Sequence, residues 1–493
     1  MALQSTNRVK LSKVREATFG ITPANPAFKT IRETSSSLNA NPKTVITQEI
    51  RSDRQVTDLI LVDMDAGGNV GGEIAFGVAD DDFEEVLQGT WSSNPVITIA
   101  TLDIEISDLS ATTATVAAGG AAFVAGMLTL LSGFPTTANN KLARVSSATA
   151  TTIVYPAATF TAETAPIPVG AAIRTIGLEG ASGDLAAVTS GGNGLQSSAL
   201  DFTTLPGLAA GRWIKLGDGD NAGHSFATAA CNGFCRISAV AAHKLSFDVV
   251  PAGWAADTGT GITLRAFMGD ALINGTTLRT STIERQYLDH SPVDYEYFTG
   301  QALNVFALDA KQAAIATYTK TYLGKAASIT ATRATGATDI AAPTYGVLNT
   351  SSNVGRIGFN GATITGPNFV MAASININNN LRAQKAIGTL GAVGVGNGEF
   401  TVTGQLQTYF GDATVYNQVL NNTLTSYDLR LGRADGNRES LLIDFPSIKL
   451  SSGAPAVSGK NQDVMIQANF QAIMHSTLGY TMLIQRYWYL PIS

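Results

Sequence analysis

Between Val70 and Phe76 the chain alternates. Val70, Gly72, Ile74 and Phe76 fall on one side and Gly71, Glu73 and Ala75 on the other, the period of two that marks a half-buried strand. The period then lengthens. Phe83, Val86, Leu87 and Trp91 recur at helical spacing behind Asp80, Asp81 and Asp82, which predicts a short helix capped by those acids. Five carboxylates, Asp80, Asp81, Asp82, Glu84 and Glu85, crowd the end of that helix where the backbone dipole is positive. Thr44 to Trp91 therefore reads as strand, charged loop, strand, acidic helix.

The same order returns some three hundred residues later. Glu399 to Phe410 alternates with Phe400, Val402, Leu406 and Phe410 on one side, and Asp412 opens a helical stretch carrying Val415 and Val419. Laying Asp80 on Asp412 (412 − 80 = 332) puts Gly72 on Gly404, Ile74 on Leu406, Phe83 on Val415 and Leu87 on Val419. Arg51, Asp53 and Arg54 precede the first of these strands, as Arg382 and Lys385 precede the second. Further on, Thr276 to Tyr287, Tyr297 to Leu308 and Gln312 to Tyr322 match Ser426 to Gly432, Leu441 to Leu450 and Val464 to Met474 in order. In the last of these, Val464, Ile466, Ala468, Phe470, Ala472 and Met474 are expected inward. Tyr480 to Tyr489 reads as one more strand, an arm for a neighbouring subunit.

The middle of the chain carries a repeat of its own. Laying Asn140 on Asn232 (232 − 140 = 92) puts Arg144 on Arg236, Val145 on Ile237, Ile153 on Leu245 and Tyr155 on Phe247. The Gly/Ser-rich stretch Gly177 to Ser198 between the copies reads as a linker. The expected organisation is a first module over residues 1–93 and 271–324, an insertion over 94–270 made of repeats at about 95–177 and 199–270, and a second module over 325–493. An insertion with its own alternation need not complete the module's core, so it is expected to be dispensable and to sit on an outer wall.

The run "TFGITPANPAFKTIRETSSSLNANPKTVITQEIRSDRQVTDLILVDMDAGGNVGGEIAFG" resembles the start of the major tail tube protein of long, non-contractile-tailed bacteriophages. "GRIGFNGATITGPNFVMAASININNNLRAQKAIGTLGAVGVGNGEFTVTGQLQTYF" resembles that family's second half. The resemblance covers roughly residues 5 to 93 and 271 to 490 and skips the middle. It implies a mainly β fold: two tandem β-barrel or sandwich modules, each with a short helix, plus the inserted pair of small β-modules. It also implies a structural virion protein whose stacked rings form a hollow tail tube for genomic DNA. With two modules per chain, such a ring would close with three chains, approximately sixfold. Implied partners are the chain itself, the tape measure protein and DNA in the lumen, and tail terminator and tail tip proteins at the ends, with assembly in the host cytoplasm.

Composition adds limits. The net charge of −6 comes from 38 acidic and 32 basic residues, so the chain has no basic footprint for tight nucleic-acid binding. Cys231 and Cys235 are the only cysteines; in one strand they would lie about 13 Å apart at roughly 3.3 Å per residue, too far for a disulfide, and read as free thiols. Leu109 to Asn140 is uncharged but rich in Thr and Gly, a poor membrane span, and "MALQSTNRVK" lacks the apolar core of a signal peptide. "DGDNAGH" from Asp218 begins like a calcium loop but has Ala229 where the bidentate acid belongs. Gly394, Gly396 and Gly398 precede a strand rather than the helix a phosphate loop needs. The four histidines, His224, His243, His290 and His475, lack metal-ligand spacing, and no catalytic, cofactor-binding or metal-ligating residue is nominated.

The functional candidates are therefore the two charged loops. Arg51, Asp53 and Arg54 in one, with Arg382 and Lys385 in the other, are expected to contact an adjacent subunit or ring, guanidinium and ammonium groups against carboxylates. The alternative function is a surface-binding β-protein, an adhesin or carbohydrate-binding array.

Overall fold

The computed structural model describes residues 3–100, 105–364 and 366–492. In chain order the first part holds β1 (Val9–Arg15), β2 (Asn39–Ile46), β3 (Leu59–Glu73) and helix α1 (Asp80–Leu87). The middle holds β4 (Met127–Ser132), β5 (Leu142–Arg144), β6 (Ala172–Glu179), β7 (Trp213–Leu216), β8 (Phe234–Ala241) and β9 (Arg265–Met268). Then come β10 (Ser281–Tyr287), β11 (Asp294–Lys311), β12 (Thr317–Gly324), β13 (Val354–Phe359), β14 (Val370–Asn378) and β15 (Thr401–Tyr409). The chain ends with helix α2 (Thr414–Leu420), β16 (Leu424–Gly432), β17 (Ser440–Ser452), β18 (Met465–Ala472) and β19 (Leu483–Tyr487).

The duplication read from the sequence appears as identical strand order, but with β3 and β15 four residues off the sequence alignment. Asn69 and Gln405 (405 − 69 = 336) occupy the same row, so Val70 and not Ile74 matches Leu406, the connection from strand to helix being shorter in the second copy. One copy runs β2-β3-β12-β11-β10-β1 and the other β14-β15-β18-β17-β16-β13, every neighbouring pair antiparallel. The two are fused into one curved sheet because β11 also pairs with β14. Expected inward residues are buried: Val70, Ile74 and Phe76 in one copy, Val402, Leu406, Ile466, Ala468 and Phe470 in the other. They meet in a single apolar core drawn from both copies. The sheet is open rather than a closed barrel: among the described residues no strand pairs with the outer edge of β2.

Several details depart from the sequence expectation. The first residue before α1 is Ala79 with no side-chain cap, so the three aspartates do not cap the helix; their carboxylates reach sideways to cations instead. Met474 lies beyond the last paired residue, Ala472, and is 64% exposed. Tyr480 to Tyr489 is no arm: β19 pairs within the chain with β17 and with Asp270–Ile273. Gly177 to Ser198 is no linker either. It contributes strands at Leu185–Val188 and Gly194–Ser197, with Leu185 and Leu195 fully buried.

The inner repeat of the middle region folds about a local pseudo-dyad. Its strands run β5-β4-β6-β9-β7-β8, with the equivalent strands β6 and β9 antiparallel at the centre. The matched asparagines do the same job in each half. Asn140 accepts from the Phe134 amide and donates to its carbonyl, both at 2.8 Å; Asn232 does so with Phe226, both at 2.9 Å. One apolar cluster holds residues of both halves, from Ile97 to Met268. Cys231 and Cys235 are both buried and unbonded to each other.

This region is seated on the rest of the chain. Leu128, Ile176, Trp213 and Phe267 pack on Leu442, Leu483, Tyr487 and Leu490. The Gln485 amide bonds both backbone groups of Trp213, at 2.9 and 2.7 Å, and Arg236 meets the buried Asp444 at 3.4 Å. The expected dispensability of the region is therefore not what the packing favours, since removal uncovers an apolar seat on β17 and β19. Deleting residues 95–270 and joining the ends by a flexible linker should yield insoluble or strongly destabilised protein, because exposed core surface costs roughly 25 cal/mol per Å² and invites association. Solubility and a thermal melt check this, and a soluble deletion melting with the parent would refute it.

Candidate self-assembly interface

Helix α1 lies across the buried face of the sheet with Phe83 against Phe306, ring centroids 5.2 Å apart. Its carboxylates are all met by cations, which come from several segments of the chain. Lys13 of β1 reaches Asp82 at 2.6 Å and Glu85 at 3.0 Å, and Lys320 of β12 reaches the other oxygen of Asp82 at 3.0 Å. Lys29 holds Asp81 at 2.7 Å, Arg15 holds Glu84 at 2.9 Å, and Arg486 of β19 pairs with Asp80. Burial works against the charge of Asp82, but Lys13 and Lys320 outweigh it and hold the carboxyl at about 2. Burial likewise opposes the charge on Lys13, whose pKa the surrounding Asp82, Glu85 and Asp81 nonetheless raise. At Lys320 burial wins, and the pKa is lowered. Sequence reading missed these cations, although Lys320 stood at an inward position between Tyr318 and Tyr322, a signal that something buried must neutralise it.

The joint between the copies has two layers. In the backbone layer Val305–Lys311 of β11 faces Asn378–Ala372 of β14. The flanking bonds, Gln312 amide to Met371 carbonyl and Asn379 amide to Asn304 carbonyl, are both 2.9 Å. In the side-chain layer Asn379 donates to the Val86 carbonyl at the end of α1 at 2.9 Å, and the Gln88 and Asn397 amides bond reciprocally at 2.9 and 3.0 Å. Helix α1 is thereby fixed to both copies.

The charged-loop candidates are divided. Arg51 makes a two-pronged contact with Asp53 of its own loop, at 3.0 and 2.7 Å, and both are exposed. Arg54 sits at the turn with φ 60° and is exposed. Arg382 donates to the Asn397 carbonyl at 3.1 Å, within a small hairpin of Arg382–Gln384 and Gly394–Gly396. Lys385 crosses to the first copy, pairing with Asp63 and, at 2.6 Å, with Asp65. The two aspartates, also approached by Lys43, carry no signal in sequence spacing. Asp218 and Asp220, which open the calcium-like run, are taken up by Arg265 at 2.9 Å and Arg438 at 2.7 Å.

Among the described residues, two edges of the fused sheet lack a partner strand. All eight residues of β2 are exposed, and the arm it forms with β3 shows Val45, Ile46, Leu59, Ile60, Leu61 and Val62 at 43–58% exposure. At the opposite end of the sheet, Ser451, Ser452, Ala454 and Ala456–Ser458 are exposed as well. Paired edges inside the chain and bare ones at its ends are the arrangement expected of an element meant to be continued by another copy.

A family model described as phage tail tube protein matches residues 6–211 and 245–472, which takes in much of the middle region that the sequence resemblance skips. No curated protein matches the chain.

The buried cluster under α1 gives a pH prediction. Because the folded pKa of Asp82, about 2, lies below its ordinary 3.8, its contribution is present above pH 4 and is lost as pH falls through the folded value. Asp82→Asn leaves Lys13 and Lys320 buried with too little counter-charge and should cost about 3–5 kcal/mol at pH 7. The gap from the parent should narrow toward pH 2. Thermal or denaturant melts across pH 2–7 measure both, and a pH-independent gap would exclude this role.

Proposed function

The chain belongs to the phage tail tube protein family, and from that premise we propose that it assembles itself into stacked rings whose bore conducts genomic DNA out of the virion. The observation that supports this best is the in-chain joint, in which two copies of one module share a continuous sheet while both outer edges stay bare. We take residues 1–93 with 271–324 as the first tube module, 325–493 as the second and 94–270 as the insertion on the outer wall. Three chains then supply six modules, with true threefold and approximate sixfold symmetry. Assembly takes place in the host cytoplasm, around the tape measure protein, with terminator and tip proteins closing the two ends.

The bore-facing surface follows from the sheet. Opposite the core, its polar face presents Thr319, Asn376, Thr403, Gln405, Gln467 and Gln471, and in the same ladder rows the charged Glu73, Asp309, Lys311 and Lys449, so amides and hydroxyls predominate and the charges are of both signs. A wall of mostly neutral groups, with scattered charges of both signs, neither binds phosphates as a basic ring would nor repels them as an acidic one would. DNA would slide along it without being held.

Electron microscopy of the purified protein tests the reading. Hollow tubes, or rings of three chains with the amide-rich face inward, are the expected result. Isolated particles that bind glycans would favour the alternative, a surface-binding β-protein, and a six-chain ring would overturn the trimer.

The arm around Arg51, Asp53 and Arg54 is assigned to contact with the next ring or subunit, and Arg382 to the related site of the second module, whose Lys385 is already taken up within the chain by Asp63 and Asp65. Arg51→Glu with Arg54→Glu should shorten or weaken tubes while circular dichroism and melting stay as in the parent, because a like-charge contact acts across the interface and not on the fold. Sedimentation at low and moderate salt reads the assembly. Parental behaviour at both salts would mean that these arginines are only solvated.

A further inference from the structure

We infer that the contact between neighbouring chains copies the joint within the chain. The edge strand β2 of one copy pairs antiparallel with residues 451–457 at the end of β17 of the next, Leu38 opposite Pro455 and Ala40 opposite Gly453. The inference rests on the self-assembly proposed above and adds the surface and register by which it occurs.

The register is carried over row by row. In the first copy, Val305 lies just after the irregularity in the β11–β12 ladder and faces Thr321, and Thr321 faces Asn69. The Ser37 amide donates to the Asn69 carbonyl at 2.8 Å, which completes the row. In the second copy, Ser452 lies just after the matching irregularity in β17–β18 and faces Asn469, Asn469 faces Gln405, and Gln405 faces Ser374. Val305 thus corresponds to Ser452 and Ser37 to Ser374. Within the chain Ser374 faces Asp309. Four residues separate Asp309 from Val305, and the residue four after Ser452 is Ala456. Ser37 of one chain therefore faces Ala456 of the next, and the antiparallel ladder sets Leu38 on Pro455, Asn39 on Ala454, Ala40 on Gly453 and Asn41 on Ser452.

An independent detail agrees with this register. The even-numbered residues of β11 exchange backbone bonds across the in-chain joint, as the Asn304 and Gln312 bonds show, so Leu308 opposite Ile375 is a bonded pair. The corresponding pair between chains is Pro455 opposite Leu38. Proline has no N–H to give, so the outward Leu38 carbonyl would be left without a donor. That carbonyl already accepts from Arg285 Nη2 at 3.0 Å. The donor missing from one chain is supplied by a side chain of the other, and a register shifted by two residues loses the match. Pro42, opposite Ser451, removes a second donor, and the two prolines guard bare edges against other pairings.

Asn39 and Ala454 form a row without backbone bonds, where Cα atoms approach to about 4.5 Å, inside the range a disulfide accepts. Both residues are exposed, and the native Cys231 and Cys235 are buried. Asn39→Cys with Ala454→Cys, assembled and then oxidised, should give chain-to-chain ladders on a non-reducing gel, whereas Asn39→Cys with Ser458→Cys, four residues out of register, should not. A second pair on the same joint, Asn41→Cys with Ser452→Cys, serves where the first hinders assembly. Assembled tubes of either pair that stay uncrosslinked, or that link only within single chains, would overturn the joint while leaving the tube reading intact. A parent that remains monomeric would overturn the tube reading and the joint with it.

Discussion

Backbone pairing between β11 and β14 is the contact on which the rest of the molecule depends. A strand edge presents donors and acceptors that must be satisfied, and here one module satisfies them with the edge of its duplicate. The fusion makes two sheets into one, gives both copies a common core and leaves an equivalent edge free at each end. Without that ladder the two modules would be separate sheets meeting through side chains and the short pairing of Asp270–Ile273 with β19. With it, the polar face of one continues into the polar face of the other, so a single surface chemistry extends across both.

The acidic helix solves a second problem, that of holding three separated parts of the chain around the joint. Its carboxylates collect cations from β1, β12 and β19, whose sequence positions span almost the whole chain. Buried ion pairs are weak as net stabilisers but costly to break singly, so they specify an arrangement more than they strengthen it. The second copy has no such need. Helix α2 has no acidic residue in its first turn, and the space around it is filled by Tyr427, Phe445 and Phe470, packed 5.7–5.9 Å apart. Only the first copy must accommodate an excursion of the chain between its helix and its fourth strand, β10, and only the first carries the charged fastening at its helix.

What was legible in the sequence was whatever depends on local periodicity. Val70 to Phe76, Val402 to Phe410 and Ile466 to Ala472 advertise their buried faces by alternation, and their recurrence exposed the duplication without a structure. The matched asparagines of the inner repeat could be aligned by eye because each performs the same turn-closing task. Contacts between segments distant in sequence left weaker traces. Asp63 and Asp65 look like ordinary loop-flanking acids until Lys385 arrives from more than three hundred residues away, and Arg486 gives no hint of Asp80. The Gly/Ser-rich stretch after Gly177 misled because small residues serve tight strand packing as well as flexible linkers: the Cβ of any larger residue at Gly177 would lie 2.1 Å from the Ala266 carbonyl oxygen.

The middle region shows how a unit with a repeat of its own shares its packing with the rest of the chain. Its two halves complete each other about β6 and β9, so in sequence it has the marks of an independent unit. Its outer apolar side chains nevertheless rest on β17 and β19, the strands that also close the second module, and Arg486 binds Asp270 at the region's exit as well as Asp80 of α1. One guanidinium thus ties the end of the middle region, the acidic helix and the last strand together. Because β17 carries the seat of the middle region at one end and the bare edge at the other, a disturbance of the seat would reach the edge through a single strand. The middle region thus holds in place the strand whose far end carries the bare edge.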